Sequence, residues 1–129
     1  MTYVDTSVLL AGLLAEDRHP SEAFWRKPLV ASRLIEYEVW TRLNAYRLTD
    51  SHGEAARALM TRLAFLELSP IVLSRALEPF PEPVRTLDAL HLASAYFLNE
   101  REPKLTLATY DRTLASAARA LGLRVIEPS

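Results

Sequence analysis

Short runs of strand-favouring residues alternate along this chain with segments of helical character, and this alternation constrains the fold more than any single motif does. Five such runs occur, at residues 2–4, 29–31, 65–68, 105–108 and 123–126. Consecutive strands of a parallel sheet need a crossover connection, which is usually a helix. The order therefore predicts an α/β fold, a three-layer α/β/α sandwich with a central parallel sheet of four to five strands.

The segments between these runs predict helices. They are expected at residues 8–15, from 21 towards 28, and at 34–48, 54–62, 71–77, 86–98 and 112–121. Residues 49–53, which end in a glycine, predict a turn, and three prolines within residues 79–83 predict a loop. With 129 residues, half of them hydrophobic, the chain is expected to form one domain, residues 1–129.

The composition excludes several classes of protein. There is no cysteine, which rules out disulfides, zinc–thiolate sites and cysteine nucleophiles and fits a reducing cytoplasm. No signal-like N-terminus and no uninterrupted apolar stretch of about 18 residues occurs, so the protein is expected to be cytoplasmic and not bound to a membrane.

The net charge of −1 by itself argues against a polyanionic partner. If four of the 16 acids were metal ligands, however, 12 acids would remain against 15 bases. Of those bases, 13 are arginine, which suits phosphate and stacked bases but is equally compatible with a GC-rich genome.

Two aspartates follow short strands and precede helices. Asp5 comes directly after residues 2–4, and Asp111 follows the run that ends at Ala108. Ligands of open parallel sheets bind outside the carboxyl ends of the strands, so both carboxylates are expected to face one crevice. Asp5 could instead be only a helix N-cap, which is the commoner role for an isolated aspartate in this setting.

Two further acids can lean over the same crevice. Asp88 lies in the first turn of a predicted helix that Thr86 can cap, and Glu38 lies about one turn into another helix. Oxygen ligands without His or Cys are the preference of Mg²⁺ or Mn²⁺. Glu36 points about 200° away from Glu38 around the helix and is expected to face solvent. The predicted metal ligands and catalytic residues are Asp5, Glu38, Asp88 and Asp111.

Neighbouring side chains can support such a site. Thr6, Ser7 and Thr109 flank the acids and can orient a carboxylate, although each is also a plausible cap. Arg112, and less strongly Arg85, is a candidate for substrate contact.

His91 and the two tryptophans have competing interpretations. His91 is expected to be a buried histidine bonded to a neighbouring carbonyl or carboxylate rather than a general base or ligand. Trp25 and Trp40 can belong to the core or line a partner's groove.

Taken in order, four segments resemble the PIN domain, and among its members the VapC-type toxins of bacterial toxin–antitoxin pairs. They are Val4–Ser7, Ala31–Leu34 with Glu38, Leu87–Ala93, and Thr109–Asp111 with Leu114 and Ala115. The resemblance extends over essentially the whole chain.

The resemblance implies a metal-dependent endoribonuclease that hydrolyses phosphodiester bonds of RNA with Mg²⁺ or Mn²⁺. The family's acidic quartet falls on Asp5, Glu38, Asp88 and Asp111, and its supporting hydroxyl on Thr109 or Thr6. It also implies a homodimer that is neutralised by a small antitoxin protein, whose C-terminal segment occupies a groove.

The sequence is also compatible with other functions. A receiver domain also has acids at strand tips, but it needs a lysine late in the chain, and none occurs after Lys104. A PIN-fold module that binds RNA or protein without cutting, a housekeeping PIN nuclease without an antitoxin, and a structure-specific DNA nuclease are the remaining alternatives.

Overall fold

The computed structural model describes all residues, Met1–Ser129, as strands alternating with helices. The strands are β1 (Thr2–Val4), β2 (Leu29–Ser32), β3 (Leu63–Leu66), β4 (Thr106–Ala108) and β5 (Arg124–Ile126). The helices are α1 (Thr6–Leu13), α2 (Glu22–Trp25), α3 (Leu34–Ala45), α4 (Thr49–Met60), α5 (Pro70–Leu77), α6 (Thr86–Arg101) and α7 (Arg112–Ala120). None of these helices is both long and apolar enough to cross a membrane.

The five strands form one parallel sheet in the order β3-β2-β1-β4-β5. Successive strand residues point to opposite faces, and on β1 Tyr3 and Val4 belong to two separate buried clusters. The Val4 cluster contains residues of α1 to α4, and the Tyr3 cluster contains residues of α6 and α7. Helices therefore cover both faces, and the predicted α/β/α sandwich is confirmed.

The strand order reverses between β1 and β4. The chain first builds outwards from β1 to β3 and then returns to place β4 on the other side of β1. Val4 is paired with Ala108, so the carboxyl ends of these two strands lie side by side. Such a reversal is where open parallel sheets place their ligands, and it brings the segments that follow β1 and β4 together as predicted.

The predicted turn at residues 49–53 is wrong, because those residues begin α4. The chain reverses earlier, at Arg47, which has a φ of 55°. Gly53 is helical, and a Cβ atom there would lie 3.3 Å from the ring of Trp40. Gly53 therefore allows α3 and α4 to pack closely. The sequence alone does not distinguish a glycine needed for packing from a glycine needed in a turn.

Several boundaries differ from the prediction by about one turn or less. β3 starts and ends two residues earlier than expected. Arg85 and not Thr86 occupies the N-cap of α6, and α6 continues to Arg101. Ser32 ends β2, and its hydroxyl accepts a hydrogen bond from the Leu34 N–H at 3.2 Å.

Both tryptophans pack beside the core on the Val4 face of the sheet. The Trp25 ring lies against Gly12, where an added Cβ would come within 2.9 Å of it. Trp40 packs on Gly53 and lies under the guanidinium of Arg57, 4.9 Å from the ring centre. These contacts agree with the interpretation that both tryptophans belong to the core.

Candidate active site

The carboxyl ends of β1 and β4 open onto a crevice of about 740 Å³. All four predicted carboxylates, those of Asp5, Glu38, Asp88 and Asp111, line this crevice. They come from four different elements, namely the β1–α1 junction, α3, the first turn of α6 and the N-cap of α7. The fold therefore brings together acids that are up to 106 residues apart in the sequence.

Asp5 is held by two hydroxyl groups. The Ser7 hydroxyl donates to Oδ1 at 2.6 Å, and the Thr109 hydroxyl donates to Oδ2 at 2.7 Å. The same hydroxyl oxygens accept from the backbone, Ser7 from the Tyr110 N–H at 3.0 Å and Thr109 from the Asp111 N–H at 2.9 Å. These four bonds join the end of β1 to the turn between β4 and α7 and fix Asp5 relative to Asp111.

The N-cap interpretation of Asp5 is wrong, whereas the side chain of Asp111 caps α7. Asp5 occupies the N-cap position of α1 but makes no side-chain capping bond. The Oδ1 atom of Asp111 accepts from the Thr113 N–H at 2.9 Å and the Leu114 N–H at 3.1 Å. Both capping bonds fall on one oxygen, so Oδ2 of Asp111 remains free for another partner.

Two contacts hold one of the two carboxylate oxygens of Glu38. Thr6 donates its hydroxyl proton to Glu38 Oε1 at 2.7 Å, and His91 Nε2 lies 2.5 Å from the same oxygen. Oε2 accepts no hydrogen bond from the protein. The two contacts orient the carboxylate and leave one oxygen available in the crevice.

His91 is buried, with 2% of its surface exposed, as was expected of it. Its Nδ1 atom lies 2.7 Å from the hydroxyl oxygen of Tyr3, a fully buried residue of β1. Burial raises the pKa of Tyr3, so its hydroxyl keeps its proton. The prediction that His91 is bonded to a neighbouring carboxylate is confirmed by its contact with Glu38.

Negative charge is poorly compensated in the crevice. Burial raises the pKa of Asp5, which is 4% exposed. The pKa of Asp88 is also raised, first by partial burial and then by the negative charge of Asp111. Asp88 has no hydrogen-bond donor from the protein. Carboxylates in this condition are stabilised by a cation.

The carboxylate oxygens are suitable ligands for a hard divalent cation. In the present side-chain conformations, however, no three acidic or histidine residues lie close enough together to hold one. Carboxylates without a counter-ion repel one another, and Glu38 is drawn towards His91 and Thr6. Oε2 of Glu38, Oδ2 of Asp111 and the carboxylate of Asp88 have no competing donor. The oxygen ligands are therefore present and not engaged by protein donors.

The arginines are placed differently from the expectation. Arg85, at the N-cap of α6, lines the crevice. Arg112 is exposed in the first turn of α7 and lies outside the crevice wall. A position next to a site residue in sequence does not decide which way a helical side chain points, and Arg85 is the better placed of the two.

Glu36 faces away from the site, as predicted. Its carboxylate pairs with Arg33 at 2.6 Å, and it takes no part in the crevice wall. The ambiguity between the two glutamates of α3 is thereby resolved in favour of Glu38.

Tyr37 and Arg42 of α3, its C-cap residue Tyr46, and the histidine partner on β1 were not among the site residues predicted from the sequence. Tyr37, Arg42 and Tyr46 extend the crevice wall beyond Glu38. Tyr3 is the buried partner of His91. A signal existed for Tyr3, since a buried tyrosine usually needs a partner for its hydroxyl. No comparable signal separates Tyr37 and Tyr46 from tyrosines of the core.

The raised pKa of Asp5 has a consequence for stability. Its contribution to folding is full below its unfolded pKa of about 3.9 and is lost as the pH rises through the higher folded pKa. In metal-free protein, Asp5→Asn should therefore raise the melting temperature by a few degrees near pH 8, and the gain should shrink as the pH falls towards about 4. Thermal melts in EDTA across this range measure the effect.

Asp17→Asn, at an exposed loop aspartate, is the control and should leave the melting temperature unchanged. A variant Asp5→Asn that is less stable than the wild type at every pH would contradict the expectation. It would mean that the hydroxyls of Ser7 and Thr109 stabilise the charged carboxylate by more than burial destabilises it.

The chain resembles curated ribonucleases along nearly its whole length. It is 34% identical to Ribonuclease VapC35 of Mycobacterium tuberculosis over 135 residues, which covers 99% of this chain and 97% of the relative. It is 35% identical to Ribonuclease VapC46 of the same organism over 132 residues, covering 98% and 97%. Ribonuclease VapC47 is 30% identical, with 99% and 97% covered.

Solved structures share the fold. PAE2754 from Pyrobaculum aerophilum superposes with a TM-score of 0.64 at 24% identity, covering 96% of this chain and 81% of that one. VapC20 of Mycobacterium tuberculosis, described as a toxin that cleaves the sarcin–ricin loop, has a TM-score of 0.64 at 20% identity, covering 91% and 95%.

The PIN domain family matches residues 2–120, a span that contains all four crevice carboxylates. Because this match takes in most of the chain and relatives above 30% identity cover nearly all of it, the chain belongs to the PIN domain family.

Proposed function

We propose that this chain is an endoribonuclease of the VapC type, which hydrolyses phosphodiester bonds of unpaired RNA with Mg²⁺ or Mn²⁺. One observation supports this most directly: four carboxylates from four elements line a single crevice at the switch point of the sheet. The relatives named ribonucleases match the chain from end to end, which favours an RNA substrate.

Asp5, Glu38, Asp88 and Asp111 would hold the ion through their oxygens, which is the ligand set that Mg²⁺ and Mn²⁺ prefer. When bound, a divalent ion lowers the pKa of a water and stabilises the oxygen that leaves phosphorus. The hydroxyls of Thr6 and Thr109 would keep two of the carboxylates in place. Arg85 in the crevice wall can hold a phosphate through two parallel hydrogen bonds.

The crevice wall beyond the acids suits unpaired bases. Tyr37 is 66% exposed and Tyr46 is 56% exposed, although large hydrophobic side chains on a helix are usually buried. They lie nine positions apart, one on α3 and the other at its C-cap, or roughly 13 Å along the helix axis. Bases that are splayed out of a helix stack on such rings. With Arg42 between them, these residues support a single-stranded substrate.

A cytoplasmic homodimer that is neutralised by a small antitoxin protein is part of the same proposal. Expression of the chain alone should then arrest growth, and co-expression of a small protein encoded beside it should relieve the arrest. Growth that is unaffected by active enzyme would favour a housekeeping nuclease. Size-exclusion chromatography with light scattering decides between dimer and monomer.

Cleavage of a labelled oligoribonucleotide tests the nuclease directly. The wild-type protein should cut a single-stranded substrate with added Mg²⁺ or Mn²⁺, stop in EDTA, and resume when metal is restored in excess. The same sequence held in a duplex should be cut more slowly, because its bases are not free to stack. Cutting that persists in EDTA would contradict the metal-dependent mechanism.

A matched variant excludes a contaminating nuclease. Asp88→Asn removes a carboxylate that has no protein donor to lose, so the fold should be unaffected and the cleavage lost. Binding of RNA without cleavage by the wild type, at every metal concentration, would favour the non-cutting module instead.

A further inference from the structure

A chain of buried hydrogen bonds connects the central sheet to Glu38. The Ser32 N–H on β2 lies 3.3 Å from the hydroxyl oxygen of Tyr3 on β1. That oxygen lies 2.7 Å from Nδ1 of His91 on α6, and Nε2 of His91 lies 2.5 Å from Oε1 of Glu38 on α3. Tyr3, Ser32 and His91 are at most 2% exposed. Three buried residues are therefore hydrogen-bonded in series, and the series ends on one carboxylate of the crevice.

In this series of hydrogen bonds, each residue from Ser32 to His91 donates to the next. A backbone N–H can only donate, so Tyr3 accepts from Ser32, and an ionised carboxylate can only accept, so a neutral His91 donates from Nε2 and its Nδ1 accepts the proton of Tyr3. Once Nδ1 accepts, the ring proton of a neutral imidazole is on Nε2, where it is donated to Glu38. The hydroxyl of Tyr3 thus selects the tautomer of His91 that can hold a carboxylate.

We propose that Tyr3 and His91 are positioning residues, which hold Glu38 through Oε1 so that Oε2 is presented to a divalent cation. The inference rests on the proposed function, since it needs Glu38 to be a metal ligand. It adds a role for two residues that make no contact with the ion. His91 is thereby assigned neither as a ligand nor as a base.

The contacts distinguish this role from simple packing. Glutamate has three rotatable side-chain bonds, and fixing them costs entropy that its partners must offset. Both donors to Glu38, from His91 and Thr6, fall on the same oxygen and leave the other without one. Any buried imidazole needs partners for its ring nitrogens, so burial alone does not assign this role to His91, whereas the shared contact of His91 and Thr6 with one oxygen of Glu38 does.

Substitutions at position 91 distinguish the effect of losing the hydrogen-bond donor from the effect of losing the imidazole ring. Glutamine can place an amide N–H close to the position of Nε2, so His91→Gln keeps a donor for Glu38. His91→Leu keeps buried apolar volume and removes the donor. Tyr3→Phe keeps the aromatic ring and removes only the hydroxyl that selects the tautomer. His52→Leu, on α4 and away from the crevice, is the matched control.

Calorimetric titration of Mn²⁺ into RNA-free protein measures the effect without enzyme activity. His91→Leu should bind Mn²⁺ about 10–100-fold more weakly than the wild type, which is the usual cost of losing a partner that orients a metal ligand. His91→Gln should retain most of the affinity, Tyr3→Phe should fall between them, and His52→Leu should match the wild type. Saturating Mn²⁺ should restore the cleavage rate of His91→Leu at an unchanged KM for RNA.

Wild-type affinity in His91→Leu overturns the inference, and so does an equal loss in His91→Leu and His91→Gln. If His91→Leu fails to fold, Tyr3→Phe decides, because unchanged Mn²⁺ affinity in that variant overturns the inference as well. A wild-type protein that binds no Mn²⁺ overturns the proposed function itself. Metal binding and RNA cleavage that are normal in the wild type and insensitive to Tyr3 and His91 overturn the positioning role alone.

Discussion

The Asp5→Asn variant should cleave RNA more than about a hundredfold more slowly than the wild type. Residues that merely orient a metal ligand already cost about 10–100-fold when they are removed, and Asp5 is proposed as a ligand itself. It is also the most buried of the four carboxylates. Asparagine keeps its size and one oxygen but removes the charge that would attract a cation.

The loss should come from the site and not from unfolding. In EDTA the variant is expected to be at least as stable as the wild type near neutral pH, so activity and stability should change in opposite directions. Cleavage rates with Mn²⁺, measured beside thermal melts of the same preparation, show both effects. Asp17→Asn should leave the rate unchanged. A folded Asp5→Asn variant that cuts RNA at the wild-type rate would exclude Asp5 from the mechanism.

The acids that follow strands were the most predictable part of the site. Asp5 and Asp111 each follow a short strand and precede a helix, and parallel connectivity then allows few arrangements. Once β1 and β4 are neighbours, the two segments must meet at the same edge of the sheet. Glu38 and Asp88 lie on helices instead, and their positions depended on the resemblance to a known family as well as on helical spacing.

The contacts behind the acids could not be predicted in the same way. Whether Asp5 caps its helix depends on competing donors, and the Ser7 and Thr109 hydroxyls win that competition. Local sequence holds no information about Thr109, which is 104 residues away. The same applies to Tyr3 and His91, which are brought together by the packing of α6 on the sheet.

Gly53 and Arg85 are further residues whose roles could not be predicted from the local sequence. A glycine after polar residues predicts a turn, yet Gly53 is required by the ring of Trp40. Arg112 is adjacent to Asp111 in sequence, yet Arg85 lines the crevice. In both cases a tertiary neighbour, and not local preference, decides the role of the residue.

Replacing Thr109 by valine should weaken both the fold and the site. The valine has nearly the same shape but lacks the hydroxyl that donates to Asp5 Oδ2 and accepts from the Asp111 N–H. A buried polar group left without a partner costs about 1–3 kcal/mol. Because Asp5 and Asp111 would lose their common anchor, Mn²⁺ affinity and RNA cleavage should each fall about 10–100-fold.

The neighbouring hydroxyl cannot substitute for the missing one. Ser7 lies 3.3 Å from the Thr109 oxygen, but its proton is already donated to Asp5 Oδ1 at 2.6 Å. Thr109→Ser, which keeps the hydroxyl and loses only a methyl group, is the matched control and should retain most of the metal affinity and activity. Chemical denaturation gives the stability change, and Mn²⁺ titration and cleavage assays give the other two. Equal losses in Thr109→Val and Thr109→Ser would show that the methyl group matters and the hydroxyl does not, which would remove Thr109 from the support of the site.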